Sequence, residues 1–377
     1  MSSEDFFNLL ENQLEVGKPV VSYRLPEKSV IHMLAQNSEE SFRIQDFSES
    51  GFIFSPFKNS ENPLFIPEKG STSNMLLDFE ALDLNKNNSE EKSSEKQEKS
   101  KTAHIALVSL GIKTIKEGKL QKVVLSRKEI QRTSLSAIEI FQNLLSLYQD
   151  AFVYIWSHPE TGIWIGASPE KLLKTERTKF STMALAGTRK LQDFSENNWT
   201  QKEITEQQLV TDSIVSKLNA LGYSEDNLKI SKTYNSEAGS LLHLRTDISG
   251  FFKTDASEID NILKALHPTP AICGLPTNEA YKFILAHENY AREFYTGYLG
   301  PLNMTTETKR SSRTRNQENQ AYSSIRKDSS LFVNLRCLKY EHGEVEIYVG
   351  GGITVDSDPT SEWEETVNKT RTMKAAL

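Results

Sequence analysis

The sequence predicts a mixed α/β or α+β fold built on largely antiparallel sheets. Three observations carry that prediction. Short apolar runs follow one another in hairpin-like succession, as in Phe152-Val153-Tyr154-Ile155-Trp156 and then Gly162-Ile163-Trp164-Ile165-Gly166. Segments with apolar residues at helical spacing are interspersed among them without a regular strand–helix alternation. No Rossmann glycine fingerprint, Walker loop, nucleophile elbow or internal repeat appears.

The first 84 residues contain short apolar pieces bounded by turn residues, such as Gly51-Phe52-Ile53-Phe54 and Pro63-Leu64-Phe65-Ile66-Pro67, and read as β-rich. From Asn85 to Lys101 every residue is polar or charged, with nothing apolar to bury. That composition reads as a disordered loop or linker and divides the chain into 1–84, 85–102 and 103–377. Residues 104–117 are amphipathic and helical, stopping at Gly118. Val123-Val124-Leu125 reads as a buried strand and 137–148 as a helix ahead of the hairpin at 152–166.

Thr200-Gln201-Lys202-Glu203 is a capping box opening a helix that continues to Val215. Strands are expected at 243–252, 331–339 and 344–349, and helices at 258–266 and 279–294. A polar insert at 305–330 reads as a mobile surface excursion. Ser361 is a candidate N-cap for the last helix.

The chain has 377 residues, 37% hydrophobic and 25% charged, enough for one large or two ordinary domains with a real core. Its net charge of −7 and the absence of a basic block disfavour nucleic acid as a partner. The only cysteines, Cys273 and Cys337, sit among apolar residues and read as buried thiols in a cytosolic protein. No apolar run approaches 18 residues, and Met1-Ser2-Ser3-Glu4-Asp5 lacks a basic leader; membrane spanning and secretion are both disfavoured.

Two helix starts carry carboxylates one turn apart: Glu203 with Glu206, and Glu362 with Glu365. Acidic residues there suit the helix dipole, and Glu203 also completes its capping box. The same four carboxylates could hold one Mg²⁺ that binds an anionic substrate. The run Gly350-Gly351-Gly352 lets backbone donors approach an anion closely. Lys122 opens a buried strand, where it is either solvated or a desolvated base. Glu170, in a turn after a strand, could be a carboxyl held protonated as an acid. Gly187-Thr188 form a small-residue turn. Pro268 and Pro270 stiffen the chain around His267 and Thr269, and Arg336 offers a bidentate fork for a carboxylate.

In order along the chain, Lys122-Val123-Val124-Leu125-Ser126-Arg127, Gly166-Ala167-Ser168-Pro169-Glu170, Leu185-Ala186-Gly187-Thr188-Arg189, Lys202-Glu203 with Glu206, His267-Pro268-Thr269-Pro270-Ala271, Leu335-Arg336-Cys337, Gly350 to Ile353 and Glu362-Trp363-Glu364-Glu365-Thr366 resemble the motifs of chorismate-utilising enzymes. That family includes isochorismate synthase, salicylate synthase and the large subunits of anthranilate and aminodeoxychorismate synthase. The resemblance spans about residues 100 to 377. It implies an α+β fold of large antiparallel sheets packed as a sandwich with helices outside.

Within the family, members that add water carry lysine where Lys122 stands, and members that add ammonia lack it. The resemblance is therefore closest to isochorismate synthase, menaquinone or siderophore type, with salicylate synthase the next alternative and an ammonia-using synthase component after it. It implies Lys122 as base for water attack at C2 of chorismate and Glu170 as acid for the departing C4 hydroxyl. Glu206 and Glu365 match direct Mg²⁺ ligands, and Glu203 and Glu362 match carboxylates reached through water. Gly187, Thr188, His267, Thr269, Arg336, Gly350, Gly351, Gly352 and Lys369 fall at positions implied to line the substrate. A cytoplasmic monomer using chorismate, with no glutaminase subunit, is the corresponding expectation. Gln207 stands where many members carry histidine, and Gly351 where alanine is usual.

Overall fold

The computed structural model describes residues 1–58, 62–82, 95–190, 199–238, 241–253, 258–308 and 324–377. The chain opens with helix α1 (Ser3–Val16), then β1 (Val20–Arg24), β2 (Ile31–Gln36), β3 (Phe42–Arg43), β4 (Gly51–Ser55), β5 (Leu64–Pro67) and β6 (Ser71–Leu76). Helix α2 (Glu95–Lys116), β7 (Lys122–Arg132), α3 (Ala137–Leu147), β8 (Phe152–His158), β9 (Gly162–Ser168), β10 (Lys171–Glu176) and β11 (Lys179–Lys190) follow. Next come α4 (Gln201–Ala220), β12 (Leu228–Ile230), β13 (Tyr234–Ala238), β14 (Leu241–Phe251), α5 (Glu258–Leu266), β15 (Gly274–Leu275) and α6 (Thr277–His287). The last elements are β16 (Tyr298–Leu302), β17 (Met304–Thr308), β18 (Ser324–Val333), β19 (Cys337–Glu341), β20 (Glu344–Ile353) and α7 (Pro359–Lys374).

Among the described residues the strands form two antiparallel sheets. One has nine strands in the order β15-β7-β20-β19-β9-β8-β1-β2-β6. The other has eleven, running β12-β14-β11-β10-β18-β16-β4-β5-β3, with β13 on β14 and β17 on β18. The N-terminal strands β1 to β6 complete one end of each sheet and so belong to the sandwich.

Side-chain alternation explains why two sheets stack with helices outside. In β8, Phe152, Tyr154 and Trp156 face the other sheet, joining Phe52, Phe54 and Phe332 in an aromatic inter-sheet core. Val153 and Ile155 point the opposite way, into a cluster with Phe6 and Leu10 of α1 and Ile140 and Leu144 of α3. Helices α4 and α5 cover the second sheet with Val210, Ile214, Ile262 and Leu266. Phe152 and Phe332 stack across the interface with ring centres 4.3 Å apart. Among the described residues no helix is long and apolar enough to cross a membrane.

Most predicted elements are present, and the departures have local causes. Helix α1 was not expected; Ser2 caps it by accepting from the Asp5 N–H, and Phe6, Phe7 and Leu10 bury one face. The polar segment expected as a linker to 102 ends earlier, because α2 begins at Glu95; residues 83–94 lie outside the described residues. The strand expected at 331–339 is broken, since the chain passes from one sheet to the other between β18 and β19, and Arg336 takes φ 49° there. The helix expected at 279–294 stops at His287. Beyond it Glu293 and Thr296 take φ 50° and 60°, a left-handed geometry no helix continues through. Both ends of the expected excursion at 305–330 are paired strand, β17 on β18, while 309–323 lie outside the described residues. Asp358, not Ser361, caps α7, accepting from the Ser361 N–H at 2.8 Å with Pro359 in the first turn.

Candidate functional site

Two crossovers between the sheets run side by side at one end of the sandwich. The chain leaves β9 for β10 through Pro169-Glu170, and leaves β18 for β19 through Asn334-Leu335-Arg336. Backbone bonds join them: Ala167 N–H donates to Arg336 O at 2.9 Å and Val333 N–H to Glu170 O at 2.9 Å. Glu170 and Arg336, 166 positions apart in sequence, thereby reach the same cavity.

That cavity has a volume of about 180 Å³, room for one small molecule. It is lined by Lys122, Glu170, Gly187, Glu203, Glu206, Arg336, Gly350, Gly351, Gly352, Glu365 and Lys369. Eleven of the fifteen residues singled out in the sequence thus converge. Helix α4 supplies Glu203 and Glu206, α7 supplies Glu365 and Lys369, and β20 lays its glycines between them.

Lys122 is 1% exposed, and its Nζ donates to Glu206 Oε1 at 2.7 Å. Of the two sequence readings, the structure selects a desolvated lysine over a solvated one. Glu170 is 5% exposed. Burial pushes its carboxyl up to about 8 although Lys122 pulls it down, so it is mainly protonated at neutral pH. Glu203 makes its capping bonds and also lines the cavity. Its carboxylate accepts from the Thr200 N–H and hydroxyl at 2.7 Å each and from Arg189 Nε at 2.8 Å, while facing the cavity. Burial alone would raise it, but those bonds to Arg189 and Thr200 win and hold it below the usual carboxylate range. Glu365 pairs with Lys369 at 2.5 Å, and Lys369 also donates to Gly350 O at 3.0 Å.

The glycines make room. A Cβ on Gly352 would lie 2.9 Å from Glu206 Oε1 and 3.0 Å from Lys122 Cε; one on Gly351 would lie 3.3 Å from Glu362 Oε2 and 3.7 Å from Glu365 Oε1. Gly352→Ala is therefore expected to fold normally yet lose at least about 10-fold in turnover, because sub-ångström displacement of reacting groups is costly. Circular dichroism beside a turnover assay checks this; unimpaired turnover would show that the close approach is unimportant.

Three expected residues stand elsewhere. His267 is buried behind the wall, its Nε2 against Thr296 O at 3.0 Å, and Thr269 is buried in the turn that brings Ala271 and Ile272 to the cavity. Burial lowers the His267 imidazole to about 4, so it is neutral at pH 7 and supports the wall. Glu362 is buried beside Gly351 on the face of α7 below Glu365, outside the cavity lining. The Thr188 side chain lies outside the described residues.

Sequence reasoning missed His243, whose Nδ1 contacts Gly187 O at 2.8 Å, and the walls formed by Tyr295, Thr296 and Tyr348. A lone histidine or tyrosine in a strand, as at His243 and Tyr348, or in a turn, as at Tyr295, gives no local sign that it faces a cavity. Burial, with Arg336 adding to it, lowers His243 to about 4, so it contributes no charge at pH 7.

The donor chemistry suits a hard cation. Carboxylates from two helices border a cavity whose glycines leave space between them, and Mg²⁺ needs only one or two carboxylates besides water and substrate oxygens. Among the described residues no three acidic, histidine or cysteine side chains form a ready metal cage. Instead Glu206, Glu365 and Glu203 hold the chain's own cations Lys122, Lys369 and Arg189.

A family profile described as "Chorismate binding enzyme" matches residues 66–312, about two thirds of the chain, and a second, described as "chorismate binding enzyme", matches 320–375. This chain belongs to the chorismate-binding enzyme family. Isochorismate synthase MenF of Escherichia coli strain K12 is 29% identical over 291 residues, covering 74% of this chain and 60% of that protein. Isochorismate synthase DhbC of Bacillus subtilis strain 168 is 27% identical over 287 residues, covering 72% of this chain and 66% of that one. The chain thus matches less than two thirds of these relatives' own lengths. The solved structure of MenF, the menaquinone-specific isochorismate synthase from Escherichia coli, superposes with a TM-score of 0.71 over 95% of this chain and 88% of that one at 22% identity. That superposition bears out the antiparallel fold the resemblance implied. The family's named substrate is a small molecule, as the size of the cavity allows.

Proposed function

We propose that this protein is an isochorismate synthase, isomerising chorismate to isochorismate by adding water at C2 and expelling the C4 hydroxyl. The observation that carries this reading is the pairing of a buried lysine with a neutral buried carboxyl in one cavity: Lys122 beside Glu206, and Glu170 protonated at pH 7. Lys122 takes a proton from the incoming water and Glu170 gives one to the departing hydroxide, which leaves as water. One water enters, one leaves, and solvent resets both groups. The named relatives support the assignment.

Charge supports the substrate class. With Lys122 neutral, as a base must be, the lining carries two cations, Arg336 and Lys369, and three carboxylates, Glu203, Glu206 and Glu365, with Glu170 neutral. A dianion alone would raise that single excess negative charge to three, and a divalent cation offsets two of them. We assign Glu206 and Glu365 as direct Mg²⁺ ligands and Glu203 and Glu362 as partners through water. When bound, the ion supplies positive charge for the ring carboxylate. Arg336 and Lys369 hold the second carboxylate, and the backbone of Gly350 to Gly352 borders the ring. Glu206 and Glu365 must give up Lys122 and Lys369 to take the cation. The reading extends to menaquinone biosynthesis in the cytoplasm by a monomer without a glutaminase partner.

Incubation with chorismate and Mg²⁺, followed by chromatography of the products, tests the reading. Isochorismate without pyruvate is expected, with activity lost in EDTA and restored by Mg²⁺. Glu206→Ala and Glu365→Ala should each abolish it at ordinary Mg²⁺ concentrations. Salicylate with pyruvate would assign salicylate synthase instead, ammonia-dependent product an aminating synthase, and no turnover would overturn the proposal.

A further inference from the structure

Strand β7, which begins with Lys122, has an incomplete outer edge. Its short neighbour β15 pairs only with Lys122 and Val123, and the ladder there ends with Val124 N–H donating to Cys273 O at 2.8 Å. The next outward-facing groups on that edge are Val124 O and Ser126 N–H. Both are met by side chains rather than by a strand. Arg292 Nη2 donates to Val124 O at 2.7 Å, and Ser126 N–H and Oγ donate to Glu288 Oε1 at 2.8 Å each. Arg292 and Glu288 grip each other through Nε to Oε2 at 2.8 Å and Nη2 to Oε1 at 2.6 Å, with both side chains 2% exposed. The ion pair takes the place of the missing strand.

The same guanidinium reaches further. Its Nη1 donates to Ile272 O at 3.0 Å and to Thr296 Oγ1 at 3.2 Å. Val124, Ile272 and Thr296 all line the cavity. One fork therefore ties three wall segments, distant in sequence, from behind. A planar guanidinium with five donors can meet this set of carbonyl, hydroxyl and carboxylate acceptors, whereas an ammonium cannot span it.

We infer that the buried Arg292–Glu288 pair is a positioning device for Lys122, holding the outer edge of β7 so that the amine stands against Glu206 and the cavity. Neither residue touches the cavity itself; both act through the strand. The inference rests on the proposed role of Lys122 as base.

The test is a double-mutant cycle on isochorismate formation. Arg292→Lys keeps the charge and loses the fork. In the wild-type background it should lower kcat at least about 10-fold while KM for chorismate changes less. In the Lys122→Ala background it should lower the residual turnover less than about 2-fold, since no base remains to misplace. Hydrogen-exchange mass spectrometry of the peptide spanning 122–127 should show faster exchange in Arg292→Lys, a readout independent of turnover. Glu288→Gln, which keeps an acceptor for Ser126, carries the same cycle if Arg292→Lys does not fold. Equal fractional losses in both backgrounds, or an unchanged kcat with unchanged exchange, would overturn this inference and leave the base intact. Normal turnover by Lys122→Ala alone would instead mark failure of the base assignment, and this inference would fall with it.

Discussion

Lys122→Ala should lower isochorismate formation on the order of 10²-fold or more while chorismate still binds within a few-fold of wild type. The side chain is buried at the first residue of β7, with its amine against Glu206 rather than in solvent. A structural lysine would more simply be replaced by an apolar residue, because burying a charged pair costs desolvation that the pairing only partly offsets. Removing it leaves Arg336 and Lys369, the proposed carboxylate contacts, in place in the cavity lining. The loss should therefore fall on kcat and not on binding. Titration of chorismate into the variant beside single-turnover kinetics separates the two. Near-normal turnover would remove Lys122 from the chemistry.

Glu170→Gln should be as damaging, on the order of 10²- to 10⁴-fold in kcat, because glutamine keeps the shape but has no proton to give. Burial holds the carboxyl up near 8. In the wild type kcat should consequently decline as pH rises through about 8 and the acid loses its proton. The Gln variant should lack that limb. A large rise in KM at unchanged kcat would show instead that Glu170 binds substrate.

The same displacement has a consequence for stability, with a definite sign. Below 4.5 the carboxyl is neutral in both folded and unfolded chains and contributes nothing; between 4.5 and about 8 the unfolded chain loses its proton while the folded one keeps it. Stability therefore declines with rising pH across that window and levels off above it. Glu170→Gln should remove that decline and stabilise the protein at pH 8 by as much as a few kcal/mol. Thermal melts at pH 5 and pH 8 would check it; an equal Tm difference at both values would refute a raised carboxyl. An inactive variant more stable than its parent would place Glu170 among residues kept for chemistry.

Much of this was legible in the sequence because it depends on near neighbours. Alternation in 152–156 set one face of β8 toward the inter-sheet core and the other toward α1 and α3. The Thr200 capping box placed Glu203 and Glu206 in the first turns of α4, and helix α5 has the expected bounds. The spacing of Glu362 and Glu365 survived a misplaced cap, since moving the helix start from Ser361 to Asp358 leaves them three positions apart on one face. Most of the residues that line the cavity were also legible, because lysine, carboxylates and glycines stand out in their motifs.

The sequence by itself determined the periodic elements, the residue types offered to a site and, through the order of its motifs, the family. Only the tertiary structure decided which of those residues meet. It brought Glu170 and Arg336 together through paired crossovers and set Lys122 against Glu206, 84 positions away. It also sent His267 behind the wall and recruited His243, Arg292 and Glu288, which no motif had marked. The physical reason is one of range. Helix and strand periodicity and capping follow from contacts a few residues apart, which any short window records. Burial of a lone charge and convergence on a cavity depend on sheet register and on side chains that supply hydrogen bonds where a neighbouring strand ends, and no window of sequence contains both partners.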